Sequence, residues 1–332
     1  MSVELIGYGC FFLTMALTYA IMCLGLNVQW GQTGLFNVGI AGFVAIGAYV
    51  SALLTTPDTA NRFGGFDMPI LVGWLGGAVA AALIAFLIGA LTIRLRADYL
   101  AIATFGVAVA VQLSALNLER ITGGPFGIGF IPRPFGGYAG DPLLFSLFNL
   151  GVLIVVVVLL YLALERLVRS PWGRVLRAIR EDETAALALG KSAVKFRLQA
   201  FAIGGGIMGL AGAVQAHFIG FIAPENYLPM LTFQVWAMLI VGGSGNNRGA
   251  ILGAVLVWGL WAASASVIAS LFPPGQQARA AALQIVMIGV GLCAILLLRP
   301  RGILGEEKVV SRHLGKLPRA LRPGTKPETP KQ

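Results

Sequence analysis

Residues 143–165 read LLFSLFNLGVLIVVVVLLYLALE, and the only charged side chain among them is the last, Glu165. An α-helix rises about 1.5 Å per residue, so a run of this length reaches across the roughly 30 Å hydrocarbon core of a bilayer. A helix that is apolar on all its faces is buried in a large core or in a membrane. The stretch therefore predicts a transmembrane helix.

The rest of the chain repeats this pattern. Of its 332 residues 57% are hydrophobic and 11% are charged, whereas soluble domains carry roughly 25% charged residues. Apolar runs lie near residues 8–29, 34–55, 69–93, 99–118, 143–165, 198–222, 229–243, 250–272 and 281–298. The seventh run is short, and only residues 30–33 separate the first two. We expect an all-α, polytopic transmembrane bundle of about eight to ten spans, with one broken or re-entrant segment.

The basic residues predict an orientation. If nine spans alternate, 20 of the 24 Lys and Arg residues fall on one side, namely Arg94, Arg96, Arg248, those of segment 166–197 and those from Arg299 onward. The positive-inside rule makes that side cytoplasmic, with the N-terminus outside and the C-terminus inside. This distribution also accounts for the net charge of +10 without a nucleic-acid partner.

Two regions stand apart from the spans. Residues 306–332 hold four prolines among scattered charges, so we expect a basic, disordered cytoplasmic tail that lies against anionic headgroups, after a membrane domain over 1–305. Residues 119–142 are dense in glycine and proline, including Gly123, Gly124 and Pro125. That density predicts a turn-rich external cap. The cap is either a docking surface or a simple connector.

Enzymatic signatures are missing from the sequence. It contains no H-E-x-x-H, paired-cysteine or G-x-S-x-G motif, and its cysteines, Cys10, Cys23 and Cys293, lie in apolar runs without metal-ligand spacing. We therefore predict no catalytic residue and no metal site. His217 lies at the outer end of the sixth run and is interpreted as an interface anchor.

Two lookalikes of nucleotide motifs are better explained by packing. Gly190, Lys191 and Ser192 resemble the end of a P-loop, but Ala185 stands where that motif needs its first glycine. Residues 204–209 fit G-x-G-x-x-G, yet they lie inside an apolar run. Their Gly205 and Gly209 form a G-x-x-x-G face for close helix packing, and Gly73 and Gly77 share that spacing. The chain is expected to bind no cofactor and no ATP itself.

A glycine-interrupted cluster of neutral polar residues is the candidate translocation path. It comprises Asn27, Gly31, Gln32, Thr33, Gly34 and Asn37. A broken helix exposes backbone groups only where it lines a cavity or is buried in protein, so such a segment suits a path for a small polar solute. Hydrogen bonding between helices is the alternative for each of these side chains.

Segment 166–197 predicts a helical element at the cytoplasmic surface. Pro171 is placed to start a helix and Gly190 to end it, while Leu176 and Ile179 are spaced to share one apolar face. Ala185 and Ala186 form a small, smooth surface beside the charges of Glu181, Asp182 and Glu183. Such a helix suits the groove of another protein. An ordinary cytoplasmic loop is the alternative.

The same segment resembles a known family. Thr184, Ala185 and Ala186, followed by Gly190, are similar to the EAA loop of ABC-importer permeases, with Thr184 in place of the usual glutamate. Residues 170–183, SPWGRVLRAIREDE, closely resemble the branched-chain amino acid permeases of the LivM type. Further matches follow in order at 24–27 (LGLN), 98–102 (DYLAI), 118–125 (LERITGGP) and 299–302 (RPRG).

The resemblance implies a permease subunit of an ATP-driven importer in the bacterial inner membrane. Its implied partners are two ABC ATPase subunits that bind ATP and Mg²⁺, a second homologous permease, and a periplasmic solute-binding protein that docks at Gly123, Gly124 and Pro125. The ATPase-coupling residues would be Arg180, Glu181, Asp182, Glu183, Thr184, Ala185, Ala186 and Gly190. A permease for urea or amides and a stand-alone channel or secondary carrier for a small neutral solute are the alternatives. The exact solute stays open.

Overall fold

The computed structural model describes residues 2–58, 63–138, 140–271, 276–298 and 302–306. Its helices are α1 (Ser2–Leu26), α2 (Ile40–Thr55), α3 (Ile70–Thr92), α4 (Ala97–Asn117), α5 (Glu119–Thr122), α6 (Pro142–Arg169), α7 (Pro171–Glu181), α8 (Glu183–Ala188), α9 (Ala193–Ile219), α10 (Pro229–Gly242), α11 (Asn247–Leu271) and α12 (Gln277–Leu298). Short 3-10 turns occur at Gly124–Phe126, Gly136–Tyr138 and Pro224–Tyr227. Across these ranges the only β pairing is an isolated bridge between Ile128 and Ile222, so the all-α prediction is confirmed.

Long apolar helices dominate the described part of the chain. Six stretches are long and apolar enough to cross a membrane, at Ile6–Gly31, Ile70–Thr92, Ala97–Asn117, Pro142–Arg169, Ala193–Ile219 and Asn247–Ala265. Shorter apolar helices occupy the other predicted runs, including Ile40–Thr55 and Pro229–Gly242. The chain is a multi-pass membrane protein, as its composition predicted. The shortness of the seventh run is also confirmed, since α10 has 14 residues.

The expected break between the first two runs is present. Helix α1 continues into a π-helical turn, Asn27–Gly31, and residues 34–39 have no helical structure before α2 begins at Ile40. Gly34 has a φ of 72°, a left-handed conformation that glycine adopts without steric cost. The first predicted pair of spans is therefore one full-length helix followed by a shorter one of 16 residues.

Helices α2 and α10 begin beside each other inside the bundle. The backbone N–H of Ala41 donates to Thr232 Oγ1 at 3.1 Å, and Trp236 Nε1 donates to the carbonyl oxygen of Asn37 at 2.9 Å. The two helices then run in opposite directions. Helix α2 ends where Thr55 meets His217 near the end of α9, and the segment after α10 returns to Asn27 near the end of α1.

Glycines let α2, α3 and α9 approach at backbone distance. A Cβ atom added to Gly209 would lie 2.2 Å from Ala81 Cβ, and one added to Gly205 would lie 2.4 Å from Ala85 Cβ. A Cβ on Gly77 would lie 2.5 Å from the carbonyl oxygen of Gly47. The predicted G-x-x-x-G packing faces are therefore confirmed.

The bundle has a basic end and an opposite end. The basic end carries Arg94, Arg96, segment 166–197 and Arg248, and the opposite end carries residues 119–138 and 220–228. His217, near the opposite end, is fully buried and lies within hydrogen-bonding distance of Thr55 Oγ1 (3.0 Å) and Trp74 Nε1 (3.2 Å). Its interpretation as an interface anchor is wrong, because it joins α2, α3 and α9 in the interior. Residues 307–332 lie outside the described ranges, so the predicted disorder of the tail stays a prediction.

Candidate functional site

Two short helices at the basic end form the site. Helix α7 begins at Pro171, where the missing backbone N–H of proline costs nothing in the first turn. Leu176 and Ile179 are buried, which confirms the predicted apolar face. The backbone turns extended at Asp182, with φ of −150° and ψ of 103°, and this residue separates α7 from α8. The segment is therefore two helices, where the sequence predicted a single helix ending at Gly190.

Asp182 caps the second helix. Its Oδ1 accepts hydrogen bonds from the backbone N–H of Ala185 at 3.0 Å and from Thr184 Oγ1 at 2.5 Å. These bonds stabilise the carboxylate and hold the pKa of Asp182 below its ordinary value of 3.8. The lowered pKa means that the cap is fully formed above about pH 4 and is lost as the pH falls through that lowered value. At neutral pH the start of α8 is fixed.

The exposed residues of α8 differ from those predicted. Ala185 is exposed, but Ala186 is only 3% exposed and packs with Ile179 and Ala193. The sequence interpretation of both alanines as surface is therefore wrong for Ala186, because the turn at Asp182 rotates α8 so that this residue faces the interior. Leu187 and Leu189 are instead exposed, at 51% and 79%.

We call the exposed set Thr184, Ala185, Leu187, Ala188 and Leu189 the α8 surface. It is apolar except for Thr184, although it lies among charged residues. An ion pair between Glu183 and Arg197, at 2.9 Å, holds the start of α8 against α9. The sequence pattern did not indicate the two leucines. Leu189 lies three residues after the buried Ala186, a spacing that predicts a shared helix face, but α8 ends at Ala188 and Leu189 is exposed.

Arg180 connects this site to the broken segment. Its Nη1 donates to the carbonyl oxygen of Gly31, in the π-helical turn after α1. Its Nη2 lies 2.7 Å and 2.8 Å from the two carboxylate oxygens of Glu306. Helix α7 is thereby hydrogen-bonded directly to the turn at Gly31. The sequence placed Arg180 in the coupling set, but neither contact partner could be predicted, because each lies more than a hundred residues away in sequence.

The polar residues of the candidate path are buried inside the bundle. Asn27 Nδ2 donates a hydrogen bond to Asn247 Oδ1 at 2.9 Å. Gln29 Nε2 donates to the carbonyl oxygen of Phe201 at 2.8 Å. Gln32 Nε2 donates to the carbonyl oxygen of Gly245 at 3.1 Å. Asn37 Nδ2 donates to Gln29 Oε1 at 2.7 Å, and Thr33 Oγ1 donates to the carbonyl oxygen of Gln29. These bonds join α1 to α9 and to the segment between α10 and α11. They fit the alternative of helix-to-helix bonding, and a role in the path stays a prediction.

The glycine-rich loop is a structured cap, as expected. Gly123 and Gly124 both adopt left-handed conformations, with φ of 77° and 57°. Ile128 and Ile222 exchange backbone hydrogen bonds of 2.8 Å and 2.9 Å, which tie the loop to the segment after α9. The docking role of Gly123, Gly124 and Pro125 stays a prediction.

Replacing Arg180 with glutamine is expected to loosen the turn at Gly31. A hydrogen bond from a charged donor contributes about 1.5 kcal/mol or more, so amide exchange in peptides covering residues 27–38 should rise about tenfold. Hydrogen–deuterium exchange mass spectrometry of the purified chain measures this. Arg166→Gln is the matched control, since Arg166 is exposed at the same end. Equal exchange in the two variants would remove the proposed link.

Most of the chain matches a known protein family. Residues 10–296 match the family model described as branched-chain amino acid transport system / permease component. The chain is 38% identical over 265 residues to the high-affinity branched-chain amino acid transport system permease protein LivM of Salmonella typhimurium, and 37% identical to that of Escherichia coli. Each match covers 74% of this chain and 60% of the relative, so the chain spans about 60% of their length.

A third relative is covered more completely. The probable branched-chain amino acid transport permease protein LivM of Methanocaldococcus jannaschii is 28% identical over 328 residues, which cover 88% of this chain and 92% of the relative. No solved structure matches the chain.

Proposed function

Since this chain belongs to the family of branched-chain amino acid transport permeases, we propose that it is the membrane-spanning subunit of an ATP-driven importer for branched-chain amino acids. The observation that carries the proposal is the α8 surface, which exposes Ala185, Leu187 and Leu189 beside the charged basic end. A soluble partner that covers these side chains removes apolar surface from water, which favours association.

The partner proposed for the α8 surface is an ABC ATPase. Two such subunits would bind ATP and Mg²⁺ on the cytoplasmic side, so the basic end and the C-terminus would face the cytoplasm, in agreement with the excess of Lys and Arg there. Closure of the ATPase pair on ATP would then move α8. Because Arg180 joins α7 to Gly31, that movement would reach the broken segment between α1 and α2.

The remaining partners belong to the opposite end and to the membrane. A solute-binding protein would dock on the cap around Gly123, Gly124 and Pro125, whose neighbours Phe126 and Phe130 expose almost their whole side chains. A second permease of the same family would complete the path. The membrane of this proposal is the bacterial inner membrane.

The two alternatives are not favoured. The Salmonella, Escherichia and Methanocaldococcus relatives are all described as branched-chain amino acid permeases, and none of the three as a urea or amide permease. A stand-alone channel or carrier needs no apolar docking surface at the basic end, so it leaves the exposure of Leu187 and Leu189 without a role.

Affinity purification of the tagged full chain from native membranes tests the proposal. In mild detergent, mass spectrometry should identify two P-loop ATPases and a second permease in complex with the chain. The eluted complex should hydrolyse ATP. Recovery of the chain only with copies of itself, together with solute uptake that needs no ATP, would overturn the proposal.

A further inference from the structure

An apolar groove runs along the outside of the bundle between α1, α6 and α11. Its volume is about 700 Å³. Leu17, Val157, Val158 and Val255 are among the residues that line it, and Arg248 and Tyr161 lie at one end. The stretch of α6 from Ile154 to Tyr161 makes the groove about 10 Å long.

A second, charged pocket lies directly beside this end of the groove. It has a volume of about 340 Å³ and is lined by the four arginines Arg169, Arg174, Arg177 and Arg248 and by the two glutamates Glu165 and Glu306. Arg248 lines both the groove and this pocket. The apolar groove therefore opens into a basic pocket without an intervening element.

The acidic residues of the pocket are already engaged. Glu165 forms an ion pair with Arg169 at 2.7 Å, and Glu306 forms one with Arg180 at 2.7 Å. Among the described residues of the lining, four arginines against two glutamates give a net positive charge. The pocket therefore suits an anion.

The junction between groove and pocket lies at the level where the membrane meets water. Tyr161 accepts a hydrogen bond from Arg248 Nε at 3.0 Å, and tyrosine is enriched at this level in membrane proteins. The α6 residues before Tyr161, from 150 to 160, are all uncharged. Glu165, Arg166 and Arg169 follow Tyr161 within about two helical turns. A ligand that fills both spaces must carry an apolar chain and an anionic head at that boundary.

We propose that the groove and the basic pocket together bind an anionic glycerophospholipid. One acyl chain lies against Val158 and Val255, and the phosphate faces Arg248 and Arg174. Val158 is 47% exposed, so an acyl chain reaches the groove without displacing any part of this chain. The positively charged group of a zwitterionic headgroup would be repelled by the arginines. The pocket therefore favours an anionic headgroup over a zwitterionic one. The inference needs only that the chain spans the membrane, and it stands apart from the proposed function.

Native mass spectrometry of the purified full chain tests this site. Dioleoyl phosphatidylglycerol should remain bound at low micromolar concentration, and dioleoyl phosphatidylcholine should not. Arg248→Gln should weaken retention of phosphatidylglycerol about fivefold, the effect expected for one basic residue near an anionic lipid. Val158→Trp should abolish retention by filling the groove.

Matched variants and a soluble probe distinguish a bound lipid from a soluble anion and from a protein partner. Arg94→Gln removes an exposed arginine at the same end, and Leu159→Trp enlarges an exposed α6 residue outside the lining, so both should retain phosphatidylglycerol fully. Equal retention of the two lipids by the unaltered chain would overturn the proposal. The proposal would also be overturned if Val158→Trp still retained phosphatidylglycerol and glycerol 1-phosphate displaced it from both this variant and the unaltered chain. That result would show a site for a soluble anion. Loss of a bound second permease in Val158→Trp, with lipid retention unchanged, would assign the groove to a protein interface.

Discussion

Gly212→Ala is expected to destabilise the chain severely, although alanine normally favours a helix. The added Cβ would lie 2.0 Å from the carbonyl oxygen of Val44 on α2, and backbone cannot rotate out of the way as a side chain can. Helices α2 and α9 must therefore separate, and overpacking of this kind costs about 1–3 kcal/mol or more. Gly47→Ala should act in the same way, because its Cβ would lie 2.0 Å from the carbonyl oxygen of Gly209.

Thermal unfolding of the purified chain in detergent measures the effect. Gly151→Ala and Gly106→Ala are matched controls inside α6 and α4, since an added Cβ at either position would have no neighbour within 4 Å. Both should be neutral or stabilising by about 0.5–1 kcal/mol, the helix preference of alanine over glycine. If Gly212→Ala unfolds at the same temperature as Gly151→Ala, the described approach of α2 and α9 is wrong.

Ala185→Asp is expected to abolish association with the proposed ATPase while the chain stays folded. Ala185 is exposed, and its backbone N–H, which the substitution keeps, makes the bond to Asp182. At a docked surface the new carboxylate would be buried without a partner, at a cost of about 3–5 kcal/mol. That cost weakens association on the order of a hundredfold or more.

Co-purification of the ATPase from membranes, with the amount of inserted chain as reference, is the measurement. Ala97→Asp introduces the same charge at another exposed alanine, at the start of α4, and should leave the complex intact. Ala186→Asp is unsuitable as a test, because Ala186 is buried. A loss of ATPase association in this variant would report disruption of the turn between α7 and α8. A stable, active complex carrying Ala185→Asp would exclude the α8 surface as the docking site.

The sequence predicted the helical core well because its signals are local. Most of the apolar runs are long enough to cross a membrane, and every predicted run is occupied by a helix. The break between the first two runs was predicted from Gly31 and Gly34, whose lack of a side chain permits the left-handed turn that is seen at Gly34. The packing face at Gly205 and Gly209 followed from spacing alone, since residues four apart share one side of a helix.

The candidate site was predicted in position but not in orientation. Pro171 and the buried pair Leu176 and Ile179 were correct because they depend on helix periodicity within one element. The exposure of Ala185 and the burial of Ala186 depend on the extended backbone at Asp182. Nothing in the order of residues distinguishes two neighbouring alanines until that turn is known.

The sequence alone determined the membrane-spanning all-α class, the positions of the helices and the family, because hydrophobic length and short motifs are written locally along the chain. Only the tertiary structure decided which polar groups meet. Asn27 bonds to Asn247, and Arg180 bonds to Gly31 and Glu306, across more than a hundred residues in each case. The groove that opens at Arg248 likewise needs α1, α6 and α11 side by side. Such contacts follow from how whole helices pack, which local periodicity does not specify.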